Sequence, residues 1–536
     1  MPPSSPEARE ARPPIGMRPS EISVAEEGLL EDWEAREMLR MLFEGKQLEA
    51  KYVAVLAEYV ADRVLRNERL RKRFVKGDYS SKIEYVASDS EAYSEAMAQV
   101  AELLREAGLN FVTLPIGRND YRVYYAEKCV LVEGADARLL KIMGVLYGAN
   151  RRGRVPLARN LLMQVGEVLM WEDINPGGYI PLADGRVLDL EDLKLKEEAG
   201  RYFTAKAGVA LEEGDLNMLR SWLGKYDWEE GEELILNMAP NYALAYRNVF
   251  NTPELRAQAR EMLGAIFFDG QLRKAWIVLG EPGIGKSVIA DALRWALGEL
   301  ASSLSLSRLF GQENRLVTGE LAGKYANITC ERPTQMLRAL DFFKQLTGDE
   351  VLWGEVKYAR PFRFRNRCKL LVFTDRLPMF SEIDDATLDR LYIIASEGER
   401  PEKPDPYLRR KIRERELKYV FLHMLWCYLE LKERDFKLIG APDREEVAKL
   451  LVSDYSDISD FIDARCELGE EFREQGSKLY DAYLEWCGTT GRRPLGRNTF
   501  YGQLVSLGFK KLNYRGAVWF KGLRLMREEE SHLFSL

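Results

Sequence analysis

Residues 276–298 read Trp-Ile-Val-Leu-Gly-Glu-Pro-Gly-Ile-Gly-Lys-Ser-Val-Ile-Ala-Asp-Ala-Leu-Arg-Trp-Ala-Leu-Gly. The apolar run from Trp276 to Leu279 predicts a short buried strand. Gly280, Glu281, Pro282, Gly283, Ile284, Gly285, Lys286 and Ser287 fit G-x-x-x-x-G-K-[ST]. Val288, Ile289, Ala292, Leu293 and Ala296 then recur at helical spacing. Strand, glycine loop and helix in that order are what a phosphate-binding loop needs. Glycines let backbone N–H groups wrap the phosphates, and the helix N-terminus adds partial positive charge. In such a loop Lys286 reaches the β- and γ-phosphates, and Ser287 is a ligand for Mg²⁺. A nucleoside triphosphate, ATP, with Mg²⁺ is therefore the expected cofactor pair.

The chain has 536 residues, which predicts about three or four domains. Its apolar content of 46% is ample for several cores. The net charge of −7 argues against a general nucleic-acid coat, so nucleic-acid contact should be confined to local basic patches. Six cysteines are scattered with no C-x-x-C pair, against a zinc module and for a reducing compartment. His423 lies among Phe421, Leu422, Met424 and Leu425 and reads as a core residue; His532 is remote from it. No apolar run reaches the ~18 residues of a membrane span. A soluble protein of the cytoplasm, with no membrane partner, is expected.

Residues 1–22 are rich in Pro, Glu, Ser and Arg and read as a disordered tail. Residues 23–175 alternate amphipathic helices with strands, an α+β domain for oligomerisation, a collar or docking. Within 176–268, Tyr179–Leu182 and Val187–Leu190 flank a turn and read as a hairpin, with helical stretches after it. Residues 269–435 alternate strands and helices and end in a helical lid. Residues 436–469 read as a charged connector, and 470–536 as a small terminal domain.

Downstream of the loop stand three further patterns: L-A-G-K-Y-A-N-I-T-C-E, ending at Glu331; K-Q-L-T-G-D, from Lys344; and K-Y-A-R-P-F-R-F, from Lys357. The buried strand Lys369–Thr374 ends at Asp375, and Asp389-Arg390 precedes another apolar strand. A carboxylate at a strand end such as Glu331 can polarise water or hold a metal shell. In order and spacing, residues 270–435 resemble superfamily 3 helicases of the poxvirus and phage/plasmid primase-helicase type. The resemblance implies an AAA+-like α/β ATPase core, in which Lys286 and Ser287 hold nucleotide and metal and Glu331 is the catalytic and metal-shell carboxylate. It places Asp375 where the family has a sensor asparagine. It places Arg390 as an arginine acting on a neighbouring subunit's ATP, with Asp389 replacing the first arginine of a pair. Lys357 falls near the hairpin that touches single-stranded DNA, and Lys344 is a further DNA-contact candidate.

The terminal segment reads helix, turn, helix, strand pair, and resembles the winged helix found at the end of such helicases. From Trp486 to Arg527 there is no acidic residue, against nine arginines and lysines. Arg497, Asn498, Thr499 and Tyr501 are expected near the start of a recognition helix, with Lys510, Lys511 and Arg515 on the wing. Before residue 270 there is no histidine and no convincing carboxylate pair on a strand, so no primase activity is expected.

The resemblance thus implies an ATP-driven hexameric DNA helicase for replication of a virus, plasmid or mobile element, moving 3′ to 5′. Its implied partners are single-stranded and forked DNA, further copies of itself, and a separate primase or replication protein. The alternative is an ATP-dependent initiator or DNA-remodelling regulator with little unwinding. A packaging or transport ATPase is a third reading.

Overall fold

The computed structural model describes residues 32–44, 48, 50–66, 72, 74–79, 82–87, 90–115, 121–142, 159, 161–163, 166–197, 201–310, 314–331, 337, 339–355, 361–378, 380, 383–454, 456–490, 494–514 and 516–526. They form two compact units. Lys357, Arg515 and the tail 1–22 lie outside the described residues.

The first unit ends at Met170. It contains α1 (Asp32–Phe43), α2 (Ala50–Leu65), a hairpin of β1 (Phe74–Tyr79) with β2 (Lys82–Ala87), α3 (Ser90–Glu106) and α4 (Ala135–Ile142). A sheet of β3 (Asn110–Pro115), β4 (Tyr121–Glu127), β5 (Val130–Val132) and β6 (Glu167–Val168) runs in the order β5-β4-β3-β6. Met38, Leu42, Leu56, Val60, Val100, Leu104 and Phe111 pack together as its core.

The second unit opens with the small meander β7 (Tyr179–Pro181), β8 (Val187–Asp189) and β9 (Lys194–Lys196). Four helices follow: α5 (Glu213–Trp222), α6 (Trp228–Met238), α7 (Pro240–Val249) and α8 (Pro253–Ala265). Their starts have local causes. Asp227 accepts from the Glu230 amide and forms a capping box, and Thr252 accepts from the Leu255 amide ahead of Pro253. α6 and α7 follow each other almost without a linker, with Pro240 opening the second.

A five-stranded sheet follows, with every paired neighbour parallel: β10 (Ala275–Leu279), β11 (Ala301–Ser302), β12 (Ala326–Cys330), β15 (Lys369–Thr374) and β16 (Leu391–Ala395), in the order β11-β12-β15-β10-β16. Successive residues of a strand face opposite sides. Trp276 and Val278 therefore join the core formed with α9 (Lys286–Leu297) and the lid helix 417–433. Ala275 and Ile277 join a second core with Leu306, Phe343 and Leu451. Burial on both faces explains why these strands read as continuous apolar runs. On that second face lie α10 (Leu306–Phe310), α11 (Leu340–Thr347), the hairpin β13 (Val351–Gly354) with β14 (Phe362–Arg365), and α12 (Asp385–Leu388).

The lid comprises α13 (Leu408–Arg415) and α14 (Leu417–Glu433). A buried network joins it to the preceding helices: Arg260 pairs with Glu232 at 3.0 Å and Glu430 at 2.9 Å, and His423 Nε2 meets Glu232 at 2.9 Å. Breaking such a buried pair costs about 3–5 kcal/mol. The 176–268 segment and the 269–435 core share one hydrophobic cluster and lie in the same compact unit.

The terminal module also starts earlier than residue 470. After α15 (Arg444–Asp454) come α16 (Ser456–Arg465), β17 (Cys466–Gln475), α17 (Gly476–Thr490), α18 (Arg497–Ser506), β18 (Lys510–Tyr514) and β19 (Ala517–Leu525). Ile458 and Phe461 sit in the same core as Tyr483, Phe500 and Phe520. The strand pair is a three-stranded antiparallel sheet, β17-β19-β18. Among the described residues, no helix is long and apolar enough to cross a membrane.

Candidate nucleotide site

The loop after β10 turns through two left-handed glycines, Gly283 at φ 90° and Gly285 at φ 112°. An L side chain is strained at either angle, so the glycine spacing is a backbone requirement. Gly285 precedes the first turn of α9 and its carbonyl accepts from Val288 and Ile289. Asn248 braces the loop, donating to the Ile284 carbonyl at 2.8 Å and the Glu399 carbonyl at 2.7 Å.

Lys286 is buried, and its ammonium donates to the carbonyls of Gly280 at 2.6 Å and Glu281 at 2.8 Å. Burial lowers its pKa from the ordinary lysine value, against an opposing pull from the Asp375 charge. A cation held this way by weak carbonyl partners is ready for a stronger, anionic one.

Carboxyl ends of adjacent strands complete the site. Glu331 follows β12 and Asp375 follows β15. Both line a cavity of about 220 Å³ with Pro282, Gly283, Gly285, Lys286, Ser287, Cys330, Phe373 and Thr374. Open α/β sheets bind ligands at this end of their strands. The volume is below the ~300–1,000 Å³ of pockets that enclose a whole small molecule. The donor set fits as well: loop amides and one lysine for phosphate, one hydroxyl and two carboxylates for a hard cation. Glu331 Oε1 accepts from the Leu306 amide at 2.6 Å, which fixes the carboxylate at the cavity edge.

Two arginines that spacing did not single out also reach the loop. A Cβ on Gly283 would meet Arg400 Cδ at 3.3 Å. Arg409, at the start of α13, donates to Ser287 Oγ at 2.7 Å and pairs with Asp291 at 2.9 Å. With Asn248, they are the functional candidates that sequence reasoning missed. Arg409 lies 122 residues from Ser287, so no local pattern carries it.

The remaining candidates are spread out. Arg390 stands just before β16, at the amino end of the sheet, and donates to the Ala386 carbonyl at 2.8 Å. Asp389 binds Arg444 of α15 through both carboxylate oxygens and is engaged within its own chain. Lys344 pairs with Asp384 at 2.6 Å, a contact that anchors α11 to the cap of α12 and competes with any DNA role. In the terminal module Asn498, Lys510 and Lys511 are exposed, and exposed Arg497 lies over the Tyr480 ring at 5.0 Å. Thr499 is within α18. Tyr501 is the correction here: it is 8% exposed and packs on Phe520, so it serves the core. Lys511 sits over its ring at 5.5 Å.

Comparison with known proteins adds outlines. A model described as a family of unknown function, DUF5906, matches residues 278–390. No curated protein matches the chain. Two apo structures of the NrS-1 C-terminal region each cover 79% of this chain and 98% of their own. One has 12% identity and a TM-score of 0.41, the other 11% and 0.42. A JCV helicase structure with a bound small molecule has 12% identity and a TM-score of 0.19, covering 46% of this chain and 74% of its own. At such scores the function has to be read from the residues themselves.

Proposed function

We propose that this chain is an ATP-hydrolysing DNA motor of the superfamily 3 helicase type, working as a ring that draws in one DNA strand. The observation that carries it is the convergence of Lys286, Ser287, Glu331 and Asp375 on one cavity beneath a doubly left-handed glycine loop. Bound ATP would supply the transferable phosphoryl group and Mg²⁺ the neutralising charge. The loop amides and Lys286 cradle and neutralise phosphate, Ser287 and Glu331 hold the metal shell, and Glu331 orients the attacking water.

Arg390 supports the ring. A strand of five residues separates it from the loop of its own chain. That is about 16 Å at ~3.3 Å per residue, too far for an arginine to bridge. Any part it takes in hydrolysis would therefore be at the site of another copy. The exposed bases of α18 and β18 give the terminal module a surface for DNA, as a winged helix would use.

A second reading, an ATP-dependent initiator or remodelling factor that unwinds little, is favoured by one observation. Asp389, in place of an arginine, is spent on Arg444 and unavailable across an interface. Forked-DNA unwinding measured beside ATP hydrolysis separates the two. Strand separation by wild type and none by Lys286→Ala is expected. Hydrolysis stimulated by single strands without separation would favour the second reading.

A further inference from the structure

We propose that Arg409 is a latch on Ser287 that a divalent cation must displace, so that helix α13 reports whether the loop is loaded. The proposal rests on the nucleotide reading of the loop. Arg409 bridges Ser287 Oγ at 2.7 Å and Asp291 at 2.9 Å. Those two residues are one turn apart on α9. One turn further along each helix, Arg413 lies over Trp295 at 5.6 Å. Thus 409 and 413 of α13 run along 287, 291 and 295 of α9, at i,i+4 spacing on both helices.

Ser287 Oγ is the atom that the motif gives to the metal. A guanidinium on that oxygen and a divalent cation on the same oxygen repel each other across a few ångströms, so one excludes the other. Asp291 keeps the displaced arginine at the mouth of the loop, where its half-exposed side chain can turn toward added negative charge. The loop then exchanges one cation for another. The contact also has a mechanical path. Glu416, between α13 and α14, accepts from the Tyr242 amide at 2.8 Å at the start of α7. Helix α7 carries Asn248, which holds the Ile284 carbonyl. Release of Arg409 therefore acts on a helix that braces the same loop from its other side.

The test is binding of a fluorescent ADP to the full-length chain, in excess Mg²⁺ and in EDTA, read as the ratio of the two affinities. Arg409→Gln removes the charged donor. Arg409→Lys keeps the charge but cannot bridge hydroxyl and carboxylate together. The Mg²⁺ enhancement is expected to rise about tenfold in Arg409→Gln, the scale of one hydrogen bond from a charged group, and by less in Arg409→Lys. Thermal melting of each variant verifies folding; if Arg409→Gln does not fold, Arg409→Lys decides. An unchanged ratio in variants that still bind ADP overturns the latch. A rise in Arg409→Gln with none in Arg409→Lys assigns the effect to net charge and overturns it too. Failure of wild type to bind ADP in either buffer refutes instead the nucleotide reading of the loop.

Discussion

The Arg390 carbonyl accepts a hydrogen bond from the Ala275 amide at 2.6 Å, pinning Arg390 to the amino end of the strand whose carboxyl end feeds Gly280. Arg390→Ala should therefore leave nucleotide affinity nearly unchanged while hydrolysis falls by about 10³, the scale of an arginine supplied across an interface. Mixing it with Lys286→Ala, itself inactive, should restore part of the turnover, since some interfaces then combine an intact loop with an intact arginine. Phosphate release measured against mixing ratio checks this. A flat, inactive response would place Arg390 outside the reaction.

Glu331 has two tasks that one substitution separates. Its contact with the Leu306 amide needs only an acceptor, which the amide oxygen of Gln still offers. Glu331→Gln should keep the fold and bind nucleotide, with hydrolysis reduced about 100-fold or more. Single-turnover hydrolysis with pre-bound ATP is the measurement.

Lys369 opens β15, fully buried, and donates to the carbonyls of Phe268 and Arg367. Burial, helped by the nearby Arg367 charge, lowers its pKa to about 7. In the unfolded chain it titrates at the ordinary lysine value. Between those two points the unfolded chain binds more protons, so stability rises with pH across the window. Wild type should gain stability from pH 7 to pH 10 relative to Lys369→Met, which lacks the titration. Urea unfolding at several pH values reads the difference. Parallel curves would mean that the ammonium stays charged.

Tyr501 and Lys511 touch but should fail differently. Tyr501→Ala removes a core ring and should cost about 3 kcal/mol of module stability. Lys510→Glu with Lys511→Glu should leave melting nearly unchanged. The pair should weaken DNA binding more at low salt than at high and reduce the slope of log affinity on log salt by about 2. Anisotropy titrations at several salt concentrations compare the two.

What the sequence disclosed follows the range of the interactions involved. Gly280–Ser287 is a backbone device whose parts are neighbours, so its residues are readable in a row. Asn248, Arg400 and Arg409 reach the same loop by tertiary packing and leave no periodic trace. Asp389 reads as a departure from an expected arginine; its partner Arg444 lies 55 residues away. The first residues of β17, Cys466–Gly469, read as the end of a connector because the segment is acid-rich, and only pairing with β19 makes it a strand. The buried Glu232–Arg260–Glu430 network was equally illegible, since each residue alone looks like the polar face of a helix.

That terminal sheet has unlike margins. β17 forms one outer strand and carries Glu467, Glu470, Glu471 and Glu474 against the single base Arg473; β18 forms the other and carries Lys510 and Lys511. On the middle strand Arg524 is paired with Glu467, while exposed Lys521 stands beside Lys510 and adds to the basic side. A polyanion meets such a sheet as a compass needle meets a field. One margin would attract it and the other turn it away, so that its heading would be set before any close contact forms.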